Sequence, residues 1–298
     1  MSYGVPFKGS KNRIADKILD VLPSASTLYD VFAGGCAISH CALLSGKYQK
    51  VTAIDEDDIP TLFEDAWNGK QFSTDWVTRD EYFDRYKSDP FVRAVWSFGN
   101  KPGHYIYGQS VMEFKHALHN ATVNGDFTLL RELHPDICDE AEDAVANMPL
   151  SAIWVRRLTI GAVVGKKMSS RRSAAVENLE RLSRLQSIYP SHVLAKAQFN
   201  TVQCDYRDVV FNDPNGIIYC DPPYHGTDGY AARNADDHFD KEAFYDWCEQ
   251  QTLPVFISEY SLPDDRFKCV AAFDKTSTIC ATKTTAVIER LYCPRCQL

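Results

Sequence analysis

The sequence predicts an α/β protein: a doubly wound, mainly parallel sheet assembled from both ends of the chain and interrupted by a long helical insertion. Three observations carry this expectation. Strand-like apolar runs and helix-period segments alternate up to about residue 60 and again after residue 200. Two of the runs stop abruptly on turns rich in chemistry, Phe32-Ala33-Gly34-Gly35 and Asp221-Pro222-Pro223-Tyr224. Open α/β sheets bind ligands at such carboxyl ends of strands. Between these two regions the alternation dissolves and helical spacing dominates.

The amino-terminal elements follow in order. Ile14, Ile18 and Val21/Leu22 recur at helical spacing over residues 11–22, and Pro23 ends the segment. Thr27-Leu28-Tyr29-Asp30-Val31-Phe32 reads as a strand running into the small-residue turn Ala33-Gly34-Gly35-Cys36-Ala37. A second helix covers about 37–46. Val51-Thr52-Ala53-Ile54 is the next strand and ends on Asp55-Glu56-Asp57-Asp58, completing a strand–helix–strand unit with right-handed crossover length.

The middle is mostly helical. An acidic, aromatic stretch with Trp67, Trp76, Tyr82, Phe83 and Tyr86 precedes a turn-rich segment, Trp96 to Tyr105. Helices are expected near 110–121 and 126–147. A basic region follows, with Leu179, Leu182, Leu185 and Ile188 every three residues. Strand signals return at Val202-Gln203-Cys204-Asp205-Tyr206, at Ile217-Ile218-Tyr219-Cys220 before Asp221, at Val255-Phe256-Ile257-Ser258, and at Val287–Tyr292 as a late antiparallel strand. Residues 1–60 and 200–298 are therefore expected to form one discontinuous sheet domain, with 61–199 as the insertion.

Bulk properties narrow the class. A chain of 298 residues, 45% apolar and 24% charged, can bury a full core. It carries no apolar run long enough to span a bilayer and no basic-then-apolar leader, so a cytosolic protein is expected. Most of the ten cysteines stand singly in apolar surroundings, as reduced core residues do. Only Cys293-Pro-Arg-Cys296 has ligand-like spacing, and Cys269 and Cys280 make a poor second pair, so no metal site is expected. The net charge of −8 hides a segregation: residues 151–196 hold nine Lys/Arg against only Glu177 and Glu180. That is the footprint of a phosphate-binding face, or of a solvated helical face.

The two turns carry the chemistry. Glycines after a strand let backbone approach a ligand, and an acid ending the next strand, Asp55, can accept from both ribose hydroxyls. The turn lacks the dinucleotide fingerprint, and Asp30 just before it repels phosphate while favouring a cationic amino-acid moiety. That combination points to S-adenosylmethionine rather than NAD or ATP. The second turn presents the Asp221 carboxylate, the Pro222 carbonyl and the Tyr224 ring together, which suits a flat substrate bearing an amino group.

These motifs, taken in order, resemble a known family. Phe7-Lys8-Gly9-Ser10-Lys11, Asp30 to Gly35, Asp55 and Asp221-Pro222-Pro223-Tyr224 follow one another as in Dam-type (D12 class) DNA adenine-N6 methyltransferases. Thr227, Tyr230, Phe239, Phe244, Tyr245, Trp247 and Glu289-Arg290-Leu291-Tyr292 resemble the phage and prophage branch. The likeness covers both flanks, about half the chain. It implies a Rossmann-like methyltransferase sheet with an inserted, mainly helical target-recognition domain. It also implies methyl transfer from S-adenosyl-L-methionine to the N6 amine of a flipped adenine in double-stranded DNA, with no membrane and no obligatory protein partner. Carried over by position, Phe7, Lys11, Asp55 and Asp221 would contact ligands. Asp30, Phe32 and Gly34 would line the methionine end, and Asp205 and Tyr206 would sit by the cofactor's adenine. Asp221, Pro222 and Tyr224 would be catalytic.

The chain also departs from the family pattern. Phe7 stands where Dam has tryptophan, and Ser10 and Cys36 replace glycines. The insertion does not reproduce Dam's recognition segment, so GATC specificity is not carried over. Phosphate contacts are expected from Arg156, Arg157, Lys166, Lys167, Arg171 and Arg172. Two alternatives stay open at the level of sequence. One is a methyltransferase for another amino group (cytosine N4, RNA adenine or a protein amide); the other is a catalytically inactive DNA- or cofactor-binding protein.

Overall fold

A computed structural model describes residues 3–98, 101–167, 173–187, 197–223, 239–280 and 283–298. The chain divides into two compact units, one of Met1–Asn68 with Ile188–Leu298 and one of Gly69–Ser187. The first is an α/β unit with a seven-stranded sheet.

That sheet holds β1 (Thr27–Val31), β2 (Lys50–Asp55), β3 (Gln198–Gln203), β4 (Ile217–Cys220), β5 (Val255–Glu259), β6 (Phe267–Cys280) and β7 (Lys283–Pro294) in the order β3-β2-β1-β4-β5-β7-β6. β3, β2, β1, β4 and β5 are parallel, whereas β7 runs antiparallel to both β5 and β6. Position in the sheet explains the composition of each strand. Central β1 and β4 are buried at every residue; β4 (IIYC) is a continuous apolar run, as strands covered on both faces commonly are, while β1 (TLYDV) also buries Thr27 and Asp30. Edge strand β3 (QFNTVQ) has no fully buried residue and tolerates polar side chains.

The topology places the site. From β1 the chain steps outward to β2 and β3, then returns to the other side of β1 with β4. The carboxyl ends of β1 and β4 thus flank the point where strand order reverses, and a crevice opens there. α1 (Ala15–Val21), α2 (Ala37–Ser45), α3 (Ile59–Trp67) and α11 (Lys241–Gln250) complete this unit. A core of Tyr29, Val31, Ile218, Phe244, Ile257 and Phe267 lies beneath the strand ends.

The second unit is built of α4 (Arg79–Arg85), α5 (Pro90–Trp96), α6 (Gln109–Val123), α7 (Thr128–Leu133), α8 (Pro135–Val145), α9 (Ile153–Lys167) and α10 (Ala174–Ser187). The spacing over 126–147 predicts one helix, but there are two, because Pro135 cannot continue a helix and instead starts α8 at its first position. A capping box, Thr78 with Glu81, starts α4. Aromatic residues fill part of the interior: Trp76 stacks between Tyr107 and His116, with ring centroids 5.5 and 4.7 Å away. The sequence expectations contain no strand at β6 and no helix at α3, α4 or α5, and α3 belongs to the sheet unit although most of it lies inside 61–199.

Candidate active site

The glycine turn is assembled against a backbone that only small residues permit. β1 ends at Val31, and Phe32 adopts φ = 62°, a left-handed conformation rare for a bulky residue and common at functional sites. Its ring is held there by Tyr206, Phe239 and Phe244, at centroid distances of 5.3, 5.7 and 5.6 Å. Phe7 then lies directly over the turn. A methyl group at Gly34 would sit 2.5 Å from Phe7 Cε1, and one at Gly35 would sit 2.5 Å from Phe7 Cβ. The aromatic residue at position 7 and the two glycines therefore require one another. Cys36 has φ = 57°, and its side chain is fully buried with Sγ 3.9 Å from the Gly34 carbonyl oxygen.

Asp30 and Asp55 both organise this turn. Asp30 Oδ2 accepts from the backbone N–H and hydroxyl of Ser39, at 2.9 and 2.5 Å. It thereby satisfies one of the unpaired N–H groups at the start of α2, whose own N-cap residue, Cys36, makes no side-chain cap. Asp55 Oδ2 accepts from Gly34 N–H at 2.8 Å and its Oδ1 from Asp57 N–H at 2.9 Å. Burial pushes the Asp30 carboxyl up to about 7 against the Ser39 bonds, and Asp221 and Asp55 add to the rise. Burial likewise pushes Asp55 up to about 6.

The second turn arrives from β4. Asp221 N–H donates to Val31 O at 3.2 Å, so the corner begins where β1 ends. Asp221 is partly exposed, at 17%, and Pro222 is buried. The Lys11 ammonium, 4% exposed, lies 2.5 and 2.6 Å from the two Asp221 oxygens and 3.7 Å from Oε1 of fully buried Glu289. Burial opposes charge on Lys11, but Asp221 and Glu289 outweigh it and hold the ammonium above its ordinary range. One cleft is lined by Phe7, Lys11, Asp30, Phe32, Gly34 and Asp221, together with Tyr219 and neighbours in the turn. Residues from three distant parts of the sequence meet at the predicted end of the sheet.

Residues 7–61 match the family model described as D12 class N6 adenine-specific DNA methyltransferase. Over these residues the chain is similar to the D12 class. The matched stretch covers β1, β2 and the glycine turn and stops well before Asp221. No curated protein matches the chain.

Other expected residues lie apart from the cleft or outside the described residues. Tyr206 is not among the residues lining it but packs against Phe32, which is, with ring centroids 5.3 Å apart. Asp205 is held by Arg207, whose guanidinium Nε donates to it at 2.8 Å and pulls its carboxyl down to about 2. Tyr224, Thr227, Tyr230, Arg171, Arg172 and the side chain of Lys167 lie outside the described residues.

The basic region is largely consumed within its own unit. Arg156 corrects the expected phosphate face, because it points inward and is 3% exposed. Its guanidinium donates to the carbonyls of Ala121 at 2.7 Å, Thr122 at 2.9 Å and Met148 at 3.4 Å. The first two are last-turn carbonyls of α6 that have no helical donor, and a cation there also meets the negative end of the helix dipole. Arg157 is paired with Glu180 and Glu177, at 2.9 and 3.1 Å. Lys166, 67% exposed, reaches Glu140 at 2.8 Å.

Glu289 and Ser39 are the site residues that sequence reasoning did not assign a role. For Glu289 a signal existed: Glu289 and Leu291 occupy alternate, buried positions of a strand while Ile288 is exposed, so an acid faces the core. Among the described residues no cluster of His, Cys, Asp or Glu is placed to hold a metal, and no helix is long and apolar enough to cross a membrane.

Proposed function

We propose that this chain transfers a methyl group from S-adenosyl-L-methionine to the N6 amine of adenine in double-stranded DNA. The observation that carries the reading is the position of Asp221. It ends β4 at the reversal point of the sheet and lines one cleft with the Phe7–Gly34 turn. The family match, to adenine-N6 DNA methyltransferases, points to the same chemistry.

The residues present fit the cofactor. Asp30 and Asp221 line the cleft, and Asp55 accepts from the backbone of Gly34, which also lines it. Such an acidic wall suits a cationic ligand. Asp30 and the turn would hold the amino-acid moiety, Asp55 the ribose and Phe7 a flat or apolar portion. When bound, the cofactor supplies an electrophilic methyl group on a sulfonium.

The chain's own residues would orient the amine. The N6 lone pair of adenine is delocalised into the ring, so the nitrogen is a poor nucleophile. Asp221 Oδ and the Pro222 carbonyl, each accepting one N6–H, draw electron density onto nitrogen and aim it. Orientation and electrostatics of this kind supply several kcal/mol. Asp221 need not be a strong base, since the proton leaves after nitrogen has become positive. Tyr224 would stack on the flipped base for roughly 1–3 kcal/mol, offsetting part of the unstacking cost. DNA contacts would come from the second unit, with Lys166 as the exposed cation and Lys167, Arg171 and Arg172 beside it in sequence.

The test is transfer of label from methyl-tritiated S-adenosylmethionine to unmethylated DNA, followed by nucleoside analysis. Wild-type protein should yield N6-methyladenine, and Asp221→Ala should lose at least ~100-fold in rate while still binding cofactor. A wild type that binds cofactor yet labels no DNA, or that labels cytosine, would overturn the reading.

A further inference from the structure

We propose that Glu289 is a second seat for the Lys11 ammonium, which it receives when Asp221 takes up the substrate amine. The inference rests on the functional reading above and assigns Glu289 as a positioning residue acting through Lys11.

The geometry is asymmetric in a way that one ion pair does not explain. Lys11 Nζ touches both Asp221 oxygens at 2.5 and 2.6 Å and stands 3.7 Å from Glu289 Oε1. The second distance is too long for a hydrogen bond and short enough for strong attraction. Glu289 lies on β7 one residue beyond its last pair with β5, Glu259↔Arg290, and so at the same end of the sheet as Asp221. Of the two carboxylates, Asp221 is 17% exposed and faces the cleft, while Glu289 is completely buried. A substrate amine can therefore reach Asp221 only.

A lysine that stayed on Asp221 would oppose the reaction. Its N–H groups compete for the oxygens that must accept N6–H, and its charge repels the positive charge that develops on N6. Swinging into the cleft would put the ammonium in the substrate's place. Leaving for water would require extracting a side chain that is 4% exposed. A shift of roughly 1 Å towards Glu289 avoids all three, because the cation remains paired inside the protein and Asp221 is freed. The raised Lys11 basicity, to which Asp221 and Glu289 both contribute, agrees with an ammonium that belongs to both acids.

Two measurements test this. In a crystal structure of Asp221→Asn, Lys11 Nζ should move to within hydrogen-bond distance of Glu289, and in Asp221→Asn/Glu289→Gln it should not. If Lys11 in Asp221→Asn turns into the cleft or stays where it is, the second seat does not exist. This result requires no DNA methylation, so it stands even if the wild type proves inactive on DNA, an outcome that would count against the functional reading alone. In the methylation assay, Glu289→Gln should lower kcat about ten-fold or more with cofactor affinity within about two-fold, and Glu289→Asp should recover part of the loss. In a Lys11→Met background, Glu289→Gln should have no further effect on kcat. Independent, multiplying losses would show that Glu289 does not act through Lys11.

Discussion

Lys11 and Asp221, 210 positions apart in sequence, form a two-point ion pair with the ammonium 2.5 and 2.6 Å from the carboxylate oxygens. Lys11→Met leaves Asp221 near Asp30 and Asp55 without its cation. Breaking a fully buried pair from one side costs ~3–5 kcal/mol, and the partial exposure of Asp221 puts the expected loss near or below that lower bound. Urea unfolding of Lys11→Met should show this drop, and Lys11→Met/Asp221→Asn should recover part of it. An undiminished midpoint in the single variant would mean that the pair contributes nothing.

Asp30 should leave a mark on the pH dependence of stability. Its carboxyl titrates at about 7 in the folded protein, against 3.8 for the ordinary group. Between those values the folded state holds a proton that the unfolded chain has released. Stability therefore falls as pH rises through this window, and the contribution is constant above it. Asp30→Asn, which does not titrate, should flatten the decline measured by chemical denaturation between pH 5 and 7. Binding of a cationic ligand should strengthen with pH over the same range in wild type and lose that dependence in the variant.

The contact between Phe7 and the glycine turn is equally specific. Alanine at Gly35 would place its methyl 2.5 Å from Phe7 Cβ and 2.9 Å from the Val5 carbonyl, which is backbone and cannot swing aside. Overpacking of this kind costs ~1–3 kcal/mol. Gly35→Ala should lower the thermal midpoint by several degrees and weaken S-adenosylmethionine binding in calorimetry, whereas alanine at Gly108, where φ is −69° and nothing lies nearby, should do neither to that extent.

Arg156 and Lys166 should separate structure from DNA binding. Arg156→Met removes three hydrogen bonds to carbonyls, two of them at the end of α6. It should destabilise the protein by ~2–4 kcal/mol and leave the salt slope of DNA binding unchanged in the folded fraction. Lys166→Ala should hardly affect stability, since its pair with Glu140 is exposed. If Lys166 meets a phosphate, the slope of log affinity against log salt should fall by about 0.9. An unchanged slope would remove Lys166 from the interface.

The sheet was legible because its signals are local. Apolar runs mark β1, β2, β4 and β5, and small or proline-rich turns end β1 and β4 regardless of what surrounds them. The β7 strand is also visible in sequence, with its buried Glu289 and Leu291 alternating with exposed Ile288. The helical unit was less legible, since its stability comes from aromatic packing such as Trp76 between Tyr107 and His116, which no short window of sequence contains. Its positive charge was readable as a count, but the count does not distinguish a cation facing water from Arg156 closing the end of α6.

By itself, then, the sequence determined the alternation of strands and helices, the two turns and the acids they carry, because each depends on residues only a few positions apart. Tertiary structure alone decided the partners of those acids: Ser39 for Asp30, Gly34 and Asp57 for Asp55, Lys11 for Asp221, and Glu289 at the second side of Lys11. Several of these pairings join distant segments, and Lys11, Asp221 and Glu289 come together only when β4 returns to β1 and β7 closes on β5. Burial and the neighbouring charges then set how strongly each group holds its proton, and neither quantity exists until the chain has folded.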